Sequence, residues 1–411
     1  MRDLLKREPA DRYDFAAYRK RLKLKKIQRI ILTILSLVII LVVLVIGIYL
    51  YRNYDMDNLA QNLTGQQANT GTVQSNGFPV SLNGEVPQDL IAVGNSLVLQ
   101  TQDEVIFVDS GGSTQHTFTH RYTNPVLKAD GSRLLTYDRG GYSYRIDSSS
   151  GLNYSGRTEA TLITGAISSR GSYALAVAEN RSAGSVIVRS RSNEIILEWL
   201  SASDQIVDLA FSDNGSELAV ACVGFEENRL VSKVYIFDVS SSTTAETAEQ
   251  AVLTFENALP LALDYKSDGN IHLICDTFVG VINSSYEAST VSFSNSVYRY
   301  YFTSSDTILL TTDVSAVSFT LTSIDRQGNK EDVQIRGGGN DIAVDDRGNI
   351  YLLERTSIQR FNSSLELLEE ISVDSSIFSI ATLNNTLYLL SDSQLARLSD
   401  LEASRAAETE G

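Results

Sequence analysis

The chain reads as an all-β protein, an eight-bladed β-propeller carried on a single N-terminal transmembrane helix. Three patterns in its 411 residues predict this. Strand–turn–strand units recur about every forty residues, the period of a four-stranded propeller blade. Five of the units turn on a glycine (131, 171, 215, 269 and 348), as in LKADGSRLLTYD (127–138), AFSDNGSELAVAC (210–222) and AVDDRGNIYLLE (343–354). One apolar run, Ile30 to Leu50, interrupted only by Thr33, Ser36 and Gly47, lies between a basic tail and an acidic remainder.

Residues 1–29 are a basic tail with eleven Lys/Arg and four acids, a net +7. The whole chain carries −16, so the remainder carries −23, the difference between −16 and +7. A 29-residue segment is too short to bury a core of its own. Residues 30–50 contain no Asp, Glu, Lys, Arg or His, and a helix of that length just crosses a hydrocarbon core of about 30 Å. Basic flanks stay cytoplasmic. The expected location is therefore the cell membrane, crossed once through Ile30 to Leu50, with a cytoplasmic N-terminus and residues 51–411 extracytoplasmic. A cleaved signal peptide fits less well, because the apolar core is long and Tyr49–Arg52 offer no small-residue cleavage site. The tail reads as a topology signal rather than as a docking segment.

Residues 51–77, rich in Asn, Gln, Thr, Ser and Gly, form a flexible stalk. From 78 to 399 the chain alternates apolar and polar residues, with turn signals every 8–12 residues. Blade starts are expected near Gln88, Asn124, Leu162, Gln205, Leu259, Val297, Gly339 and Ser376. The Asp-Gly, Asn-Gly and Arg-Gly turns supply the positive φ that tight hairpins need. The last unit shows only three strands, and Phe78–Leu82 (FPVSL) is expected to supply its fourth and close the ring. Seven blades is the runner-up count, since the first and last units are the least regular. Two β-sandwiches would not show this period. Residues 400–411 are a polar tail.

The stretch HRYTNPVLKADGSRLLTYDRGGYSYRI (120–146), followed by AISSRGSYALAV, resembles a family of uncharacterised single-pass membrane proteins from clostridial Gram-positive bacteria. The resemblance covers the anchor and most of the ectodomain, and H-x-Y-x-N-P…YDRGG is its most specific part. It implies a Gram-positive cell-surface location and a propeller-like ectodomain. It implies no activity and no site residues.

Catalytic signatures are missing: the chain has no phosphate loop, H-E-x-x-H, C-x-x-C or G-x-S-x-G. His116 and His120, four apart on one strand, stand about 13 Å apart and cannot share a metal directly. A single Trp199 argues against propellers that dock quinones on repeated Trp motifs. Cys222 and Cys275 sit in apolar runs and read as buried free thiols, with a bridge between neighbouring sheets as the alternative. Asp130, Asp213, Asp268 and Asp345 read as turn formers. No cofactor and no metal is expected.

Topology points to one face. In blades whose strands run a to d from the axis outward, the d–a and b–c connections share one face, and the a–b and c–d turns share the other. His120, Tyr122 and Asn124 lie on a d–a connection, and Asp138 and Arg139 on the next b–c turn, so these five are candidates for a ligand site. The ordinary alternative is that Asn124-Pro125 and Gly140-Gly141 build turns while His120 and Tyr122 pack between blades. An acid marks every b–c turn: Asp103, Asp138, Glu179, Glu226/Glu227, Asp276, Asp313, Glu354 and Asp392. Glu179, Asp276 and Glu354 join the candidates. With −23 outside the tail, nucleic acid is excluded as a partner. The expected function is a non-catalytic binding or scaffolding module for a protein, peptide or glycan. Loops of one face would hold that partner, including long blade-4 insertions at 224–232 and 239–251. The alternative is a hydrolase or lactonase with a cation-assisted site in the channel, which needs several carboxylates converging there.

Overall fold

In a computed structural model of the chain, the described residues are 77–400 except 242, 243, 314, 316 and 317. The expected basic tail, transmembrane helix and stalk up to residue 76 lie outside them, as does the tail from 401. Among the described residues no helix is long and apolar enough to cross a membrane.

Thirty-two strands form eight antiparallel four-stranded sheets among the described residues. The innermost strands are Pro87–Val93, Pro125–Asp130, Leu162–Ile167, Gln205–Phe211, Pro260–Tyr265, Ser296–Phe302, Asp341–Val344 and Ile377–Leu383. Each begins within two residues of the blade start expected from the repeat. In seven blades the four strands follow one another from the axis outward. In the eighth, Val80–Ser81 pairs with Gln394–Arg397 as the outermost strand, with Val80 opposite Leu395 and Ser81 opposite Gln394. The chain therefore closes its ring by returning its first strand to its last blade, as FPVSL predicts, which removes the sheet edge an open ring would leave.

Packing settles the blade count at eight. Second strands such as Ser96–Thr101 and Tyr173–Val177 are buried along their whole length, because neighbouring blades cover both of their faces. Each of the eight inter-blade interfaces has its own apolar cluster. The one between blades 8 and 1 gathers Val80, Leu82, Leu99, Leu390 and Leu395. Burying such a side chain contributes about 1.5–3 kcal/mol, so the closing strand is held by its side chains as much as by its pairing.

The a–b turns meet on one face. Gly131 and Gly215 have φ of +56° and +65°, and Ser169 N–H donates to the Asp130 carboxylate of the blade before it at 2.6 Å. Asp345 accepts from the Arg347 and Asn349 N–H groups, each at 2.9 Å, as a turn-forming Asp does. Cys222 and Cys275 are free and buried, and burial pushes the Cys275 thiol up to about 12.

Candidate functional site

His120 follows the outer strand Thr114–Thr119 of blade 1, and its N–H donates to Asp103 O at 2.7 Å. The ring is buried and stacks on Tyr122 at 5.1 Å, while Nδ1 accepts from Tyr122 N–H at 3.3 Å. Its Nε2 is buried with no hydrogen-bond partner. Burial holds the imidazole below its usual pKa, against the opposing pull of Asp103. Asn124 N–H donates to Asp138 Oδ1 at 2.9 Å, and Arg139 N–H donates to Asn124 O at 2.9 Å. A Cβ at Gly141 would run into the Asp138 carboxylate. The N-P and D-R-G-G segments thus lock one connection to the next turn. His120 stacks on Tyr122 and feels the Asp138 charge, while Asn124, Asp138 and the Arg139 backbone are joined by contacts that build the turns themselves.

The acids of the b–c turns all lie on this same face by strand order. They do not meet. Asp276 Oδ1 accepts from Leu259 N–H at 3.0 Å, repeating in blade 5 the bond Asp138 makes in blade 2. Glu179 accepts from Ser185 Oγ at 3.0 Å and Glu354 from Ser357 Oγ at 3.2 Å, both within their own blades. These candidates ring the face one blade at a time.

The two long insertions of blade 4 are separated, contrary to the expectation that they share a face. Residues 224–232 join strands b and c, Glu217–Glu226 and Arg229–Asp238, which pair over ten positions to a turn at Glu227 and Asn228, both at positive φ. Residues 239–251 span the c–d connection at the opposite end of the blade. There Val239 and Ala248 join the apolar cluster between blades 3 and 4. The b–c hairpin is pinned by Lys233, which pairs with Asp204 at 3.0 Å and Glu226 at 2.9 Å. Near its tip stands Phe225, 73% exposed. Of the exposed large apolar side chains, Val86, Tyr142, Leu200, Phe225, Leu259, Leu261 and Tyr298 lie at the d–a and b–c end, and Leu152, Ile195, Leu367 and Leu368, at the start of outer strands, lie at the other. Val252 lies within an outer strand and Tyr300 in the channel.

Sequence reasoning missed the channel. Six of the eight innermost strands carry a register shift near their start, and the residues just after it include Asp89, Thr164, Asp208, Arg299 and Ser379. A bulge re-aims the side chain that follows it, and here it places polar groups around the axis. Lys128 of blade 2 and Tyr300 of blade 6 line both of two cavities, of about 390 and 360 Å³, that together border all eight inner strands. Lys128 pairs with Asp208 at 3.2 Å. Burial works against its charge, but Asp208 outweighs it and raises the Lys128 pKa. Asp264 pairs with the fully buried Lys266 at 3.3 Å, and burial still pushes its carboxyl up to about 6. Asp341 Oδ2 accepts from Ser379 Oγ at 2.8 Å and Ile380 N–H at 2.9 Å. The channel acids Asp208, Asp264 and Asp341 are thus engaged singly, and among the described residues no group of three or more His, Cys, Asp or Glu could hold a metal ion.

A closed ring of eight antiparallel blades with an acidic, apolar-studded face defines an all-β propeller. Residues 75–399 match the model of DUF5711, described as a family of unknown function, and the chain belongs to that family. No curated protein matches it. Among solved structures the chain is similar to apo AztD from Citrobacter koseri, at 12% identity and a TM-score of 0.52, covering 75% of this chain and 96% of that one. It is similar to BamB from Moraxella catarrhalis, at 11% identity and a TM-score of 0.51, covering 79% and 100%. The C-terminal WD40 domain of Sif2 has 9% identity and a TM-score of 0.55, covering 76% and 97%. At these identities the likeness is one of fold.

Proposed function

We propose that this chain is a membrane-anchored propeller whose d–a and b–c face is an extracytoplasmic binding or scaffolding surface for a protein, peptide or glycan. The observation that carries this reading is the distribution of exposed apolar side chains, seven of which lie at that end, with Phe225 raised on the extended blade-4 hairpin. Exposed aromatics within a polar rim are typical anchors of a binding surface. The acids of the b–c turns favour a basic partner and add salt sensitivity. His120, Tyr122 and Asn124 would form the blade 1–2 edge of the surface, beside Asp138 and Arg139. Anchorage rests on the apolar run Ile30 to Leu50 and the basic residues before it. The alternative hydrolase or lactonase would use the channel acids together, whereas Asp208, Asp264 and Asp341 are held by separate partners.

Two experiments test the reading. External protease on intact, wall-stripped cells is expected to digest the propeller and leave a short anchored fragment, and complete protection would refute the orientation. A pull-down of the membrane-extracted chain should lose its partner on Phe225→Ser with Leu200→Ser, and full retention would refute the assigned face.

A further inference from the structure

The cavity of about 360 Å³ is bordered by blades 6, 7, 8, 1 and 2 and has its own charge pattern. Arg299 comes from blade 6, Asp341 from blade 7 and Asp89 from blade 1, with Tyr300, Tyr301 and Thr382 between them. Arg299 makes no hydrogen bond or ion pair among the described residues, although a guanidinium offers five donors. The Asp89 carboxylate is engaged only through Oδ1, by Leu90 N–H at 2.9 Å. Asp341 is fixed by Ser379 and Ile380, so its position is set before anything binds. Lys128, which closes the chamber on one side, already has Asp208 as its partner. The chamber therefore holds one cation with no salt-bridge partner and two carboxylates that both feel its charge, in a space large enough for a small molecule.

We propose that this chamber binds an amino-acid-class zwitterion, its carboxylate on Arg299 and its cationic end on Asp89 and Asp341. A guanidinium suits a carboxylate because its paired donors match the two oxygens. Two carboxylates against one guanidinium leave a net charge of −1, which favours a ligand with two cationic groups and one carboxylate. Both Asp89 and Asp341 have carboxyls held above the usual range, by burial first in each case. An arriving ammonium would relieve that cost. The site lies in the channel rather than on the connecting loops of the d–a and b–c face, so small-molecule binding in it and partner capture on the face are measured separately.

Calorimetric titration of the full-length chain in detergent tests this, with L-lysine as probe and cadaverine, which lacks the carboxylate, as comparison. Saturable L-lysine binding is expected, with cadaverine at least about tenfold weaker, the worth of a charge-assisted hydrogen-bond pair. Arg299→Gln should weaken L-lysine about tenfold or more and leave cadaverine bound at least as tightly, while Asp89→Asn should weaken both. Asp213→Asn, in the other chamber, should change neither. Absence of L-lysine binding into the millimolar range would overturn the proposal. So would equal affinity for cadaverine, a comparison on the unaltered chain that stands even if a variant fails to fold.

Discussion

Two buried carboxyl groups in neighbouring blades show opposite electrostatic logic. Burial alone would raise the Asp147 carboxyl, but Arg145 at 2.6 Å and His116 at 3.0 Å outweigh it and hold it low. A depressed carboxyl adds stability that is fully present above its unfolded pKa and is lost as pH falls through the folded one. Asp147→Ala removes the carboxylate that buried Arg145 and His116 both contact, so a loss of about 3–5 kcal/mol is expected in denaturant unfolding at pH 7. Glu104 has the opposite sign. It is 5% exposed, its Oε2 is unpartnered, and burial, with Glu85 and Asp103 adding to it, pushes it up to about 7. The unfolded chain gives up that proton near 4.5, so stability falls as pH climbs from about 4.5 to 7. Glu104→Gln should therefore stabilise the protein by about 1–2 kcal/mol at pH 8 and change little at pH 4. A destabilised Gln variant at pH 8 would contradict this account.

At the scale of elements, the repeat was the most legible feature, because glycine turns and the period-2 alternation of buried strands are written directly into the residues. The closing strand was legible too, since FPVSL is an apolar run with no partner nearby in sequence. The bulges were not. They show only as a polar residue soon after each blade start, as in QDLIAV, VDLAF and RYYF, where an unbroken apolar strand would otherwise be expected. The direction of the 239–251 insertion followed from strand order, yet its length obscured the point. Deleting 78–82 removes Val80 and Leu82 from the blade 8–1 cluster and exposes the edge of Gln394–Arg397, so a loss of about 3 kcal/mol or more, or aggregation, is expected. Deletion of 52–76 should shift the unfolding midpoint little, as their Asn-, Gln-, Thr- and Ser-rich composition predicts. Equal midpoints for the two truncations would contradict closure by this strand.

For the whole molecule, the candidate site was legible as a face and not as a constellation. Strand order alone put His120, Asn124, Asp138 and the b–c acids at one end. It could not show that Asp138 and Asp276 spend their carboxylates on the N–H groups of Asn124 and Leu259. Nor could it show that Phe225 stands clear of the ring on a hairpin longer than its neighbours. The measurement that tests the central claim most directly is photo-crosslinking in intact cells, with a benzophenone side chain placed at 225 or, as a control, at 367 on the outer strand Leu367–Ser372. An adduct at 225, weakened by added salt, with none at 367, is the predicted result. Adducts of equal yield at both positions, or at 367 alone, would contradict the assignment of the d–a and b–c face as the binding surface.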